Sequence, residues 1–147
     1  MKFIKYTAIG AILAAGMAHA EVEPTDPNAK MRAELMEGVG GAMKILGGMA
    51  KGEVAYEATA AEAAKAKLVE ASAGIETAFA TEGAADPASE AKPVIWTSWD
   101  DFAKKAGALH TAATGADVSS VEAITTSMGT LGGACKDCHT TYRVMKE

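Results

Sequence analysis

The chain has 147 residues, with 19 acidic against 14 basic side chains and a formal charge of −5 at pH 7. That length implies one domain, and the acidic balance argues against nucleic acid, whose phosphate backbone repels it. Abundant alanine, few aromatics and no stretch of alternating apolar and polar residues point to an all-α protein rather than a sheet.

In chain order, residues 1–20 (MKFIKYTAIGAILAAGMAHA) read as an export signal. Lys2 and Lys5 precede an apolar run, and Ala18-His19-Ala20 puts small residues where a signal peptidase cuts. The run is too short to cross a bilayer comfortably. Cleavage after Ala20 leaves residues 21–147 as the mature domain, exported to the periplasm. That domain holds 12 basic against 19 acidic residues, a formal charge of −7, and no segment apolar enough to span a membrane.

The first helix is expected from Asp26-Pro27, a good cap with proline in the first turn, to about Gly52. Leu35, Val39, Ala42, Leu46 and Met49 form one apolar stripe, and Arg32, Met36 and Met43 a second beside it. Gly38, Gly40 and Gly41 interrupt it and invite a reason such as close approach to a neighbour or ligand. The second helix spans about residues 56–80, with Ala61, Ala64, Leu68, Ala71, Ile75 and Ala78 inward. Residues 81–93, rich in Gly, Pro and small polar residues, form the one long loop, crossing between helices. The third helix starts near Ser98, with Ser98 and Asp101 set as a capping box. Trp99, Phe102, Ala106, Leu109 and Ala113 line its buried face, and Gly115 ends it. The fourth opens at Ser119 with an S-x-x-E box to Glu122. Its stripe is Val121, Ile124, Met128, Leu131, Cys135, Cys138, Tyr142 and Met145. These segments build an antiparallel four-helix bundle.

Cys135-Lys136-Asp137-Cys138-His139 contains the only two cysteines of the chain. Four chemistries compete for it. A disulfide fits an exported protein but would close a tiny loop and constrain the unfolded chain little. A thioredoxin-like pair belongs beside a βαβ unit, which is missing here. Zinc needs four ligands, and only Cys135, Cys138, His139 and the distant His110 are at hand, besides carboxylates. Covalent haem remains: two cysteines three apart on one helical face can reach two vinyl groups, and the adjacent His139 reaches the iron. A large apolar disc also fills the space that an alanine-rich core leaves thin. Lys136 and Asp137 turn away from the stripe and read as exposed.

The whole pattern resembles the cytochrome c′ family. CKDCHTTYR resembles its C-terminal signature with the Tyr142-Arg143 pair, and IWTSWDDFAKKAGALH its third helix, with Trp96 and Phe102 in place. GGAMKILGGMAKGEVAYE resembles its first interhelical turn, and Arg32 followed by Met36 its first-helix pattern. The resemblance implies that Arg32 meets a haem propionate and that Met36 lies over the open face of the iron. It also implies that Arg143 lies near the proximal His139 and limits water there. Two readings of Met36 stand. As an axial ligand it gives a six-coordinate electron carrier, as in low-spin relatives; as a packing residue it is a distal gate over a five-coordinate iron, as in members that bind nitric oxide or carbon monoxide. His110, Met31 and Met43 are weaker ligand candidates, Met43 lining the haem edge.

The expected function is therefore that of an exported monohaem electron-transfer protein, with gas binding as the alternative. Weak peroxidase-like chemistry in a structural protein is a third reading. No acid–base pair, nucleophile elbow or phosphate loop marks an enzyme. The acidic surface suits redox partner proteins with a basic docking patch, and the resemblance implies homodimers packed through the first two helices.

Overall fold

The computed structural model describes residues 22–145, so the leader expected over residues 1–20 lies outside the described residues. Six helices form: α1 (Pro27–Ala50), α2 (Ala58–Ala73), α3 (Ile75–Phe79), α4 (Val94–Thr97), α5 (Trp99–Gly115) and α6 (Val121–Tyr142). Among the described residues the only β-type pairing is an isolated bridge between Ala91 and Arg143.

The four long legs are α1, α2 with α3, α5 and α6, each packed on two neighbours in the ring α1–α2–α5–α6. Hydrogen bonds fix the directions. At one end, Tyr56 before α2 donates its hydroxyl to the Val118 carbonyl before α6 at 3.1 Å. At the other end, Trp96 Nε1 donates to the Phe79 carbonyl at 2.8 Å, and Tyr142 at the close of α6 donates to Asp101 at the start of α5. Successive legs therefore run antiparallel. Much of the core comes from the stripes read from periodicity, joined by Phe79, Ile95 and Val118, which lie on none of them, while Leu35, Trp99, Val121 and Met128 are only partly buried. Phe102, Leu46, Leu68, Ile95, Ile124 and Leu131 are its largest fully buried side chains, each worth about 1.5–3 kcal/mol against exposure.

Four local expectations need correction. The second helix is not continuous: at Gly74 the N–H bonds three residues back to Ala71 O, which tightens the turn and separates α2 from α3. A Cβ at Gly74 would lie 3.1 Å from Leu35 Cδ1, so the break sits against Leu35 of α1. The cap of α6 is Ser120, whose hydroxyl accepts from Ala123 N at 3.1 Å, not Ser119. Ser98 is the residue before α5, but its side chain makes no cap bond, and Asp101 instead accepts from Tyr142. Met145 lies past the end of α6 and is exposed, off the buried stripe.

The loop after α3 is tied down rather than merely long. The Asp86 carboxylate accepts from Thr25 N at 2.6 Å and Asp26 N at 2.8 Å. Asp26 in turn caps α1 through Ala29 N and accepts from Ala84 N. Further along, Lys92 N donates to Tyr142 O and Val144 N to Glu90 O. One loop thus clamps both the start of α1 and the end of α6, and the Cys135–His139 turn is held in that half of the bundle.

Candidate functional site

Cys135, Cys138 and His139 all face one internal cavity of about 30 Å³. Its remaining walls come from three other legs: Met36 and Val39 of α1, Ile75 of α3, Ala106 and Leu109 of α5, with Ala134 of α6. The 3.6-residue period brings this about. Cys135, Cys138 and His139 fall on one face of α6, and α1 runs antiparallel beside it, so Met36 and Val39 meet the same space. A larger hollow of about 330 Å³ lies between Trp96 and Asp101. It opens on solvent and holds no sulfur or imidazole.

Neither cysteine is in a disulfide, and both are half-buried. Burial pushes the Cys135 thiol up, with its backbone opposing. The Cys138 thiol is pushed up to about 11, mainly by burial, with Lys105 opposing and Asp137, Cys135 and Asp101 adding. The His139 imidazole is pushed down, first by burial and then by the Arg143 guanidinium, while Glu90 opposes. Its neutral form, the one with a free lone pair for a metal, is favoured at neutral pH.

Arg32 sits one turn before Met36 on α1 and is only 5% exposed. Its Nη1 donates to Thr81 O at 2.9 Å and Glu82 O at 3.1 Å, and Nη2 also donates to Glu82 O at 3.1 Å. The guanidinium carbon lies 5.6 Å from the Phe79 ring centroid and 5.2 Å from that of Trp96. Burial lowers its pKa, with Asp26 and Glu82 opposing. Arg143 lies past the end of α6, exposed, with Nε and Nη2 each 2.6 Å from Glu90 Oε2. Its backbone N–H donates to His139 O.

Three other residues singled out in the sequence do not line the cavity. The Nδ1 of His110 pairs with the Ser72 hydroxyl at 3.1 Å, Met31 is exposed, and Met43 of α1 is partly buried against the core. As expected, Lys136 and Asp137 point outward, Asp137 meeting Lys105 at 2.6 Å. Sequence reasoning had put Val39, Ile75, Ala106 and Leu109 on buried stripes but not at the site. Their common register with Met36 and Cys135 was the signal. Ala134 and the Tyr142–Asp101 pair carried none.

The donors suit a haem: two free thiols three residues apart, a neutral imidazole beside them, a thioether from the facing helix, and otherwise apolar walls. This combination on an antiparallel bundle defines a helical haem protein of the c type. A family model for cytochrome c′ matches residues 28–143. The chain is 36% identical over 120 residues to a cytochrome c-556 of Agrobacterium tumefaciens (strain apple 185), covering 79% of this chain and 94% of that relative. A cytochrome c′ structure from Rhodobacter sphaeroides superposes with a TM-score of 0.74 at 28% identity, covering 81% of this chain and 96% of that one. The nitric oxide complex of a variant cytochrome c′ from Alcaligenes xylosoxidans superposes with a TM-score of 0.69 at 25% identity, covering 80% and 94%. The chain belongs to the cytochrome c′ family. It is a monohaem c-type cytochrome of electron transport, with one covalently bound haem c and its iron.

Proposed function

We propose that this cytochrome is an exported electron carrier in which Cys135 and Cys138 would hold the haem covalently and His139 and Met36 would ligate its iron. One observation carries the reading: Met36 and His139 reach from neighbouring antiparallel helices into the same apolar cavity as the two free thiols. The bound haem supplies a one-electron couple, and His/Met ligation raises its potential.

The chain's own residues shape that couple. Val39, Ile75, Ala106 and Leu109 keep water from the site. Arg32 is assigned to a propionate, using the N–H groups left over from Thr81 and Glu82. Arg143, held by Glu90, keeps a positive charge near His139. Residues 1–20 are the leader, cut after Ala20, and the mature chain of residues 21–147 works in the periplasm. Among the described residues no helix is long and apolar enough to cross a membrane. Redox partner proteins dock through a basic patch complementary to the acidic surface. The protein is not an enzyme, and two copies pair through α1 and α2.

A second reading is supported by the nitric oxide complex of the related protein. In it Met36 would stand as a gate without ligating, leaving His139 as the one protein ligand and room for nitric oxide or carbon monoxide.

Intact-mass analysis of the exported protein tests the attachment. The expected mass is that of residues 21–147 plus one haem, with the addition lost in Cys135→Ala/Cys138→Ala. A mature chain without haem, or haem that stays attached in the double variant, overturns it.

A further inference from the structure

We propose that Glu90 and Arg143 form a charge pair that sets how readily the His139 site takes up an electron. Arg143 favours the reduced state; Glu90 holds the guanidinium in place and offsets part of its effect. The proposal deepens the electron-carrier reading and rests on His139 as a ligand of the iron.

The fold builds the pair from two distant segments. Residues 90–92 of the loop after α3 lie against residues 142–144 at the end of α6. Val144 N donates to Glu90 O at 2.7 Å and Lys92 N to Tyr142 O at 2.9 Å, and Ala91 and Arg143 form the antiparallel bridge between them. Arg143 N in turn donates to His139 O at 3.1 Å, which places Arg143 one turn past the imidazole. With both backbones fixed, the side chains meet: Arg143 Nε and Nη2 each lie 2.6 Å from Glu90 Oε2. Charged donors this close to a carboxylate make a strong, directional contact. The Glu90 side chain is 24% exposed and that of Arg143 46%. A pair this open to water adds little to stability, so its effect has to be sought in what lies beside it.

What lies beside it is the His139 ring, and both charges act on that ring with opposite signs. After burial, Arg143 is the next largest influence and lowers the imidazole pKa, while Glu90 raises it by less. The pair therefore leaves a net positive potential at the ring. A positive charge there disfavours the oxidised state of a metal held by that imidazole and favours uptake of one electron. Glu90 acts the other way, and its cover from solvent limits screening by salt. The charges on the Cys138 side of the turn are arranged differently. Lys105 meets Asp137 at 2.6 Å and stands 3.9 Å from Asp101, and all three act on the Cys138 thiol.

The test is a spectroelectrochemical titration of the holoprotein beside Glu90→Gln, Arg143→Gln, the double variant and Glu122→Gln. Glutamine at position 90 keeps the size of the side chain and an oxygen for Arg143 while removing the charge. Glu122 is an exposed acid in the first turn of α6, about 25 Å along the helix from His139, and serves as the control. The expected result is a higher reduction potential in Glu90→Gln and a lower one in Arg143→Gln. The double variant should lie between those two, and Glu122→Gln should match the parent. Ferric absorption spectra of all variants should equal the parent's, because no ligand is replaced. An unmoved or lowered potential in Glu90→Gln, an unmoved or raised one in Arg143→Gln, a double variant outside that interval, or an equal shift in Glu122→Gln overturns the proposal. So does a changed spectrum, which would assign the shift to ligation rather than to charge. A parent chain without haem refutes the attachment itself, whereas haem-loaded variants at the parent potential refute only the charge pair.

Discussion

Replacing Arg32 by alanine should be markedly damaging, although arginine is ordinarily a solvent-exposed residue. The side chain is 5% exposed and clasps two loop carbonyls, Thr81 O and Glu82 O. Losing their partner costs about 1 kcal/mol per carbonyl. The guanidinium also lies over two rings, Phe79 and Trp96, worth about 0.5–1 kcal/mol each. Together these predict a loss of about 3 kcal/mol, partly offset because a buried charge no longer has to be desolvated. For a domain of this size that lowers Tm by roughly 10 °C. Arg32→Lys keeps the charge but not the planar fork, and should recover only a minor part. The control is Arg143→Ala. Its ion pair with Glu90 is exposed, so it should cost less than about 1 kcal/mol. Circular dichroism melts and urea titrations of the holoproteins measure all three. Arg32→Ala within about 0.5 kcal/mol of the parent, or no more harmful than Arg143→Ala, would refute the reasoning, since surface substitutions commonly fall in that range.

Three further outcomes follow from local geometry. Gly83 has φ +76°, and a Cβ there would fall 2.5 Å from Asp26 Oδ1, so Gly83→Ala should cost about 2 kcal/mol or more in thermal melts. The backbone N–H groups of Asp26, Ala88 and Thr25 hold Asp86 down at about 2, from an ordinary 3.8. Its contribution is therefore complete above about pH 4 and lost as pH falls through 2; Asp86→Asn should flatten that acid limb of the stability curve, and an unchanged limb would contradict the assignment. Ser120→Ala should cost about 1 kcal/mol through the lost α6 cap, whereas Ser98→Ala should cost a few tenths; equal losses in chemical denaturation would show that the caps are misassigned.

The contrast between those two serines shows what was legible in the sequence. Long helices and their buried faces follow from a local period, so Ala61 to Ala78 and Phe102 to Ala113 were placed correctly residue by residue. The Cys135–His139 face was legible for the same reason. Cap identity was less so, because adjacent serines differ only in which hydroxyl meets the turn. The tight contact at the Gly74 break comes from Leu35 of another helix, which no local period reveals. The loop contacts of Arg32 and Asp86 span 49 to 61 residues of sequence separation and leave no periodic trace. Arg32 was legible as a residue on the Met36 stripe, but its hold on Thr81 and Glu82 was not. The same holds for Tyr142, whose stripe position was read while its carboxylate partner was not.

Whether Met36 ligates the iron is tested most directly by the absorption spectrum of the ferric protein beside that of Met36→Ala. The expected parent spectrum is low-spin with a methionine-to-iron charge-transfer band at the red end, and the variant's is high-spin without that band. A high-spin parent spectrum, or a spin state that survives Met36→Ala unchanged, would contradict that ligation.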